Sequence, residues 1–491
     1  MSFKQVPTPK LIFEKSKVGH VGCNFPVADT PEVDLNTCLG DLRKKLELPE
    51  VSELECMRHF VNLSQLNYGI ETGVYPLGSC TMKYNPRINE KIAAFLGFTH
   101  LHPLQPSFQV QGALEVMMLL QEILSEITGF DAVSLQPLAG AHGEMTCLML
   151  IKAYFESKKE YRKWVLIPDS AHGTNPASAA LCGFEVKSIP TGLSGGVDLN
   201  RFKELLNDNV AAIMLTNPST LGLFEINIQE IDKLAHQFDI QMFCDGANMN
   251  AMLGITRPGD QGFDCMHLNL HKTFSTPHGG GGPGCGAIGV KKHLEPFLPS
   301  PVLARKNDGI LFFENERPLS IGKISSYYGH FLMNVRALAY LLAYGKEELH
   351  EIARHAVLNA NYMMAKLKDV MLPAYDRRCM HECVLSALNY KQFGVRAIDI
   401  SKRLIDYGFH PPTNYFPLIV PEAFMIEPTE TESKETLDAF CKALAQICEE
   451  AKVEPELLQN APSTQVVTRL DEAYAAKTLD VCWGNRSIEK S

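Results

Sequence analysis

No run of apolar residues in this chain approaches the ~18–20 that a bilayer-spanning helix needs, so no membrane segment is expected. Basic charge is not in excess. The chain has 46 Lys and Arg against 56 Asp and Glu, a formal net charge of −10, the reverse of a nucleic-acid binder's basic footprint. The start, MSFKQVPTPKLIFEKSKVGH, has no apolar signal core and no Arg- and Ser-rich transit pattern, so a cytoplasmic location is expected. The 14 cysteines form no repeated Cys-x-x-Cys pairs. That excludes the disulfide framework of small secreted domains and fits a reducing compartment. Cys379 and Cys383 flank His381, but one short segment without a second ligand pair is not structural zinc spacing, and no metal is expected. Internal repeats and low-complexity tracts are also lacking.

What is present is a globular composition, 45% hydrophobic and 21% charged over 491 residues. At roughly 150 residues per domain, that length suggests about three domains. Apolar spacing predicts an irregular arm followed by a helix over 39–48, and a long helix over 111–127. Beyond it, strands at 164–168, 211–216, 241–245 and 265–270 alternate with helices over 175–181, 199–206 and 228–238. Near-continuous apolar strands between helices mark a parallel sheet covered on both faces. The expected division is an N-terminal arm with helices (1–89), a large α/β domain (90–325), and a C-terminal part (326–491). In the last, a bridging helix spanning 325–346 leads into a small α+β domain with a strand at 383–385.

In open α/β sheets, ligands gather at the carboxyl ends of the strands. Four strand ends there carry chemistry-bearing residues: His172, Thr216, Asp245 with Ala247, and Lys272. Lys272 follows an apolar strand. A buried lysine loses its charge more easily, and the neutral amine adds to carbonyls; the same position suits a structural lysine at a sheet edge. Asp245 ends the preceding strand, where a carboxylate can keep a pyridine nitrogen protonated or simply cap a helix. His172 sits in a Gly/Thr/Asn-rich loop, where an imidazole can stack on a bound ring or serve as an ordinary polar residue. The turn Gly140-Ala141-His142-Gly143 opens a helix whose free N–H groups attract phosphate. The glycine run 279–282 has no Gly-Lys-Ser/Thr ending, so it is not the nucleotide-binding form. A lysine for a Schiff base and an acid for the ring nitrogen are what pyridoxal 5'-phosphate requires.

Long stretches then carry a resemblance: Tyr75-Pro76-Leu77-Gly78-Ser79-Cys80-Thr81-Met82-Lys83-Tyr84-Asn85-Pro86, Asp169 to Pro176, Asn269 to Phe274, and Glu427-Pro428-Thr429-Glu430. With Phe13-Glu14-Lys15-Ser16, they resemble the glycine decarboxylase P-protein of the glycine cleavage system along nearly the whole chain. The length is similar to the separate lysine-bearing subunit (subunit 2) of the split bacterial form. The resemblance implies an α/β, aspartate-aminotransferase-like fold of pyridoxal-phosphate-dependent transferases. It implies the cofactor on Lys272, with Asp245 at the ring nitrogen, His172 stacked on the ring, and backbone N–H groups near Ala141 and His142 at the phosphate. Thr216 and Ala247 are further candidate cofactor contacts, and 75–86 is expected to border the site.

The implied activity is glycine decarboxylation, with release of carbon dioxide and transfer of the aminomethyl group to the lipoyl arm of the H-protein. The implied assembly is a heterotetramer, two of each, with P-protein subunit 1, acting with the T-protein and L-protein. Other expected readings are another pyridoxal-phosphate decarboxylase or aminotransferase on the same fold, and a catalytically silent structural subunit, since fold does not fix function.

Overall fold

The computed structural model describes residues 8–27, 29–31, 33–40, 46, 48–280 and 284–479. The chain divides into two units, Met1–Thr72 with Asn460–Ser491, and Gly73–Gln459. In the first, the helix Glu53–Ser64 begins with a capping box: Ser52 Oγ accepts from the Glu55 N–H, and the Glu55 carboxylate accepts from the Ser52 N–H. Two donors that a helix start leaves unpaired are thereby satisfied. Glu55 also takes His20 at 3.0 Å and Lys17 at 3.4 Å, tying the arm to this helix. A short helix, Leu35–Leu39, is followed by Gly40 in the left-handed region at φ 77°. The helix expected over 39–48 falls mainly on residues 41–45 and 47, which lie outside the described residues.

The second unit is built on a seven-stranded sheet. Its strands are β1 (Ala132–Ser134), β2 (Trp164–Pro168), β3 (Glu185–Ile189), β4 (Val210–Thr216), β5 (Gln241–Gly246), β6 (Cys265–Asn269) and β7 (Gly286–Val290). Their order is β1-β7-β6-β5-β4-β2-β3. Strands β2 to β6 pair in parallel, while β7 runs antiparallel to both of its neighbours. The four expected strands are β2, β4, β5 and β6. The sequence pattern misses the other three for physical reasons. β1 is three residues long, β3 (EVKSI) is a largely exposed edge strand, and β7 (GAIGV) carries two glycines, which weaken any strand signal.

Side-chain alternation explains why the central strands are apolar throughout. Leu166, Ile213, Leu215, Met242, Cys244, Met266 and Leu268 enter one core; Val165, Ile167, Ala212, Met214, Phe243 and Cys265 enter another. The helix Gln111–Thr128 covers the first with Leu114, Met117, Leu120 and Leu124, a helical stripe. Gly140–Ser157 covers the second with Cys147, Leu148, Ile151 and Phe155. Each such side chain contributes ~1.5–3 kcal/mol on burial, far more than helix propensity, so burial decides where these helices lie.

After the hairpin of β8 (Val302–Arg305) and β9 (Leu311–Glu314) comes the helix Phe331–Leu367. Expected over 325–346, it begins six residues later, after Gly329 at φ 90°, and continues well past 346 through a break at Gly345 (φ 64°, ψ 175°). Ala337, Leu338 and Leu341 join the large core, and Ala360, Met363 and Leu367 a third one. That third core belongs to an antiparallel sheet of β10 (Leu372–Pro373), β11 (Cys383–Ser386), β12 (Thr413–Asn414) and β13 (Ala423–Ile426), in the order β10-β11-β13-β12. Helices Ala397–Asp406 and Lys434–Val453 back it. The expected architecture, a large mostly parallel sheet with a smaller C-terminal α+β part, is the one observed. Among the described residues no helix is long and apolar enough to cross a membrane.

Candidate active site

Register places the central groups. Thr216 of β4 pairs with Asp245 of β5, which pairs with His267 of β6, so the three stand side by side at the carboxyl ends of neighbouring strands. Asp245 is buried, 4% exposed. Its Oδ2 accepts from Asn175 Nδ2 at 3.0 Å and Thr216 Oγ1 at 3.3 Å, and its Oδ1 accepts from the Ala247 N–H at 3.1 Å. Burial alone would raise this carboxyl. The His267 ring, the Asn175 and Ala247 donors and the nearby Lys272 charge outweigh it and hold Asp245 below the ordinary carboxylate value. It is therefore a buried anion at neutral pH.

Lys272 lies in the turn after β6, its N–H bonded to the Asn269 carbonyl at 3.1 Å. Its side chain is half-buried, and its amine has no hydrogen bond or ion pair among the described residues. A cavity of about 150 Å³ contains Lys272 and Asp245 in its walls, together with Ala141, His172, Thr216 and Ala247. His172 is exposed; its Nδ1 accepts from the Thr174 N–H at 3.2 Å, and its ring meets Phe416 edge-on at 5.6 Å.

The helix Gly140–Ser157 opens at the same cavity with no side-chain cap, leaving the N–H groups of its first turn for a ligand. A Cβ on Gly140 would collide with the Asn269 side chain, so glycine lets the helix start lie against the end of β6 with Asn269 in place. His142 differs from the other candidates. Its Nδ1 accepts from the Leu138 N–H at 3.2 Å, and its side chain is absent from the cavity wall. Only its backbone is left to contribute.

The other wall comes from the small sheet. His381 and Glu382 precede β11, and both line the cavity. Glu427 follows β13. Cys383 pairs with Ile426, so Glu382 and Glu427 face each other just beyond the ladder. The segment 75–86 runs alongside β13: Leu77 bridges Ile426, and the Glu427 N–H donates to the Pro76 carbonyl at 3.2 Å. Ser79 and Thr81 have φ of 66° and 54°, which aims their N–H groups at the two glutamates. The Ser79 N–H donates to Glu382 at 2.9 Å; Thr81 donates to Glu427 from its N–H at 2.9 Å and its hydroxyl at 2.7 Å. Further along the segment Lys83 is a buried cation, bonded to Glu430 at 2.6 Å, the Thr273 carbonyl at 2.7 Å and Tyr340 Oη at 3.0 Å.

Sequence reasoning quoted 75–86 and Glu427 to Glu430 without roles. It did not single out Glu382, Asn175 or His267, because their partners are set by sheet register rather than by local spacing. Chemically, the cavity offers an unpaired amine, a buried anion and a free helix N-terminus. The Asn269 Oδ1, buried and without a partner among the described residues, is also beside it. This donor set fits a phosphorylated pyridine aldehyde.

Comparison with known proteins follows the same outline. The family described as Glycine cleavage system P-protein matches residues 39–309, and that described as Glycine dehydrogenase, C-terminal domain, matches 352–466. A probable glycine dehydrogenase (decarboxylating) subunit 2 of Caldanaerobacter subterraneus subsp. tengcongensis is 57% identical over 477 residues, covering 96% of this chain and 98% of that protein. The protein of the same description from Lysinibacillus sphaericus is 55% identical, covering 95% and 97%. Among solved structures, a glycine decarboxylase (P-protein) of the glycine cleavage system in inhibitor-bound form superposes with a TM-score of 0.69 at 21% identity, covering 84% of this chain and 94% of that one. A sphingosine-1-phosphate lyase from Burkholderia pseudomallei gives 0.62 at 14% identity, covering 86% and 96%.

Proposed function

Because this chain belongs to the glycine cleavage system P-protein family, we propose that Lys272 holds pyridoxal phosphate covalently through its ε-amine. In this reading Asp245 faces the ring nitrogen, His172 lies against the ring, and the N–H groups of Ala141 and His142 take the phosphate. The chain is a pyridoxal-phosphate-dependent glycine decarboxylase subunit that works with a partner P-protein subunit. The observation that carries the site assignment is one cavity walled by an amine free of ion pairs and by a buried carboxylate held anionic.

When bound, the cofactor accepts the electron pair released as the glycine carboxylate leaves. The chain's own groups prepare for this. Asp245, anionic and fixed by Asn175, Thr216 and Ala247, keeps a proton on the ring nitrogen; Thr216 and Ala247 thus act on the cofactor through Asp245. Lys272, in the cavity wall, would be placed to move protons within it. Glycine offers no side chain to grip, so selectivity requires a pocket that excludes a β-carbon. The aminomethyl group passes to the oxidised lipoyl arm of the H-protein. Assembly as two of each chain with subunit 1, supply to the T-protein and L-protein, a cytoplasmic location, and the division at 89 and 325 are parts of the same proposal.

Lys272→Ala, mixed with the partner subunit, tests this. The variant should lose the yellow, borohydride-sensitive absorbance and the exchange of glycine carboxyl carbon with bicarbonate. Normal exchange would overturn the assignment.

A further inference from the structure

We propose that Glu382 is the proton donor of this site, kept protonated by the facing Glu427, and that its proton goes to the sulfur that leaves when the acceptor disulfide opens. The proposal rests on the reading of the cavity given above and extends it to a residue without an assigned role.

The geometry comes from the small sheet. Glu382 is 3% exposed and Glu427 is fully buried. Through the Cys383–Ile426 pairing, their carboxyl oxygens and a ring nitrogen of His381 lie within 4.8 Å of one another. Two carboxylates so close in a dry place disfavour double ionisation, so the resting pair retains a proton.

The donors decide where it sits. Glu427 receives the Thr81 N–H, the Thr81 hydroxyl and, at 2.8 Å, Asn248 Nδ2. Asn248 also donates to the Thr81 hydroxyl oxygen, which leaves the hydroxyl hydrogen for Glu427. All three partners suit a carboxylate. Among the described residues Glu382 receives only the Ser79 N–H, at Oε2; its Oε1 is 3.8 Å from His381 Nε2, beyond hydrogen-bond range. The charge belongs on Glu427 and the proton on Glu382.

The surroundings agree. Burial, then Glu427, lifts Glu382 well above the carboxylate range, against the Ser79 N–H and the Lys272 charge. His381 is no competing donor, because burial and Lys272 push it down to about 3. The Cys80 and Cys379 thiols, which also face Glu382, are raised by burial and stay neutral. Glu382 lines the cavity that holds Lys272, whereas Glu427 does not. Glu382 is thus the member that can reach reacting atoms, and Glu427 is a positioning residue.

The proton is needed for balance. As the glycine carboxylate leaves as carbon dioxide, its bonding pair stays with the α-carbon. That pair forms a bond to one sulfur of the cyclic disulfide on the lipoyl arm, and the S–S bond breaks. The second sulfur takes the S–S electron pair and the proton from Glu382, becoming a thiol. The disulfide is reduced and the α-carbon oxidised. Glu382, left ionised beside Glu427, recovers its proton from water.

The experiment is infrared difference spectroscopy on cofactor-free protein, wild type against E382Q, at neutral pH. The expected result is a carboxylic-acid C=O band in the wild type that E382Q lacks. Its absence overturns the proposal. A second readout uses holoenzyme with partner subunit and lipoylated acceptor. E382Q should bind the cofactor as tightly as wild type, turn over on the order of a hundredfold more slowly, and lose the alkaline fall in rate that marks deprotonation of Glu382. In E427Q, which removes the facing charge, that fall should move to lower pH. Unchanged turnover and an unchanged profile in E382Q would also overturn the assignment. A wild type that releases no carbon dioxide from glycine would instead overturn the proposed function, leaving the infrared result on Glu382 intact.

Discussion

His267 Nε2 stands 3.3 Å from Asp245 Oδ1, and neither ring nitrogen of this fully buried histidine has a hydrogen-bond partner among the described residues. After burial, which opposes it, His267 is the largest influence on the Asp245 carboxyl. The acid proposed to face the ring nitrogen is therefore supported from behind as well as from its flanks.

Asp245→Asn should lower turnover on the order of a hundredfold, the rate equivalent of losing a charge-assisted interaction of ~3 kcal/mol. His267→Phe, which keeps Asp245, should cost about tenfold by letting the carboxyl drift upward. Steady-state rates and cofactor titration by absorbance check both; a His267→Phe protein as impaired as Asp245→Asn would show that the ring acts directly.

Gly140→Ala should weaken cofactor binding while leaving the fold in place. The new methyl meets the Asn269 side chain at 1.9 Å, and Asn269 must swing away from the helix start. An absorbance titration at fixed pH measures the loss, and circular dichroism should show unchanged helix content.

The Lys83–Glu430 pair is buried, with side chains 1% and 5% exposed. Removing one partner leaves the other as an unpaired buried charge. Lys83→Met or Glu430→Gln should therefore cost about 3–5 kcal/mol in urea unfolding, and replacing both with apolar residues should recover much of it. Lys83 also holds the Thr273 carbonyl, next to Lys272, so Lys83→Met should slow turnover as well.

His236 bonds Asp264 at 2.8 Å and Asp232 at 2.6 Å, and these partners raise it from 6.5 to about 9. A group whose folded value is raised stabilises fully below its unfolded value and loses that contribution as pH rises through the folded one. The urea midpoint should fall between pH 6.5 and about 9, and His236→Asn should flatten that slope. Solvent screening keeps the effect small, since the ring is 38% exposed.

The parts legible in the sequence are those set by local pattern. Trp164–Pro168 is a continuous apolar run and was readable to the residue; Lys272, Asp245, His172, Thr216 and Ala247 follow or end such runs, and one cavity gathers them. His142 is expected to offer its backbone N–H, and its ring is occupied with Leu138. The polar, exposed β3 and the glycine-bearing β7 left no apolar signature. Glu382 was hidden for a different reason: it meets Glu427 through strand pairing across a long stretch of intervening chain, which no local spacing encodes.

That pairing, four residue pairs from Cys383–Ile426 to Ser386–Ala423, constrains how the chain can change length. A one-residue shift in an antiparallel ladder sends side chains to the opposite face. One deletion inside either strand would therefore part the two glutamates.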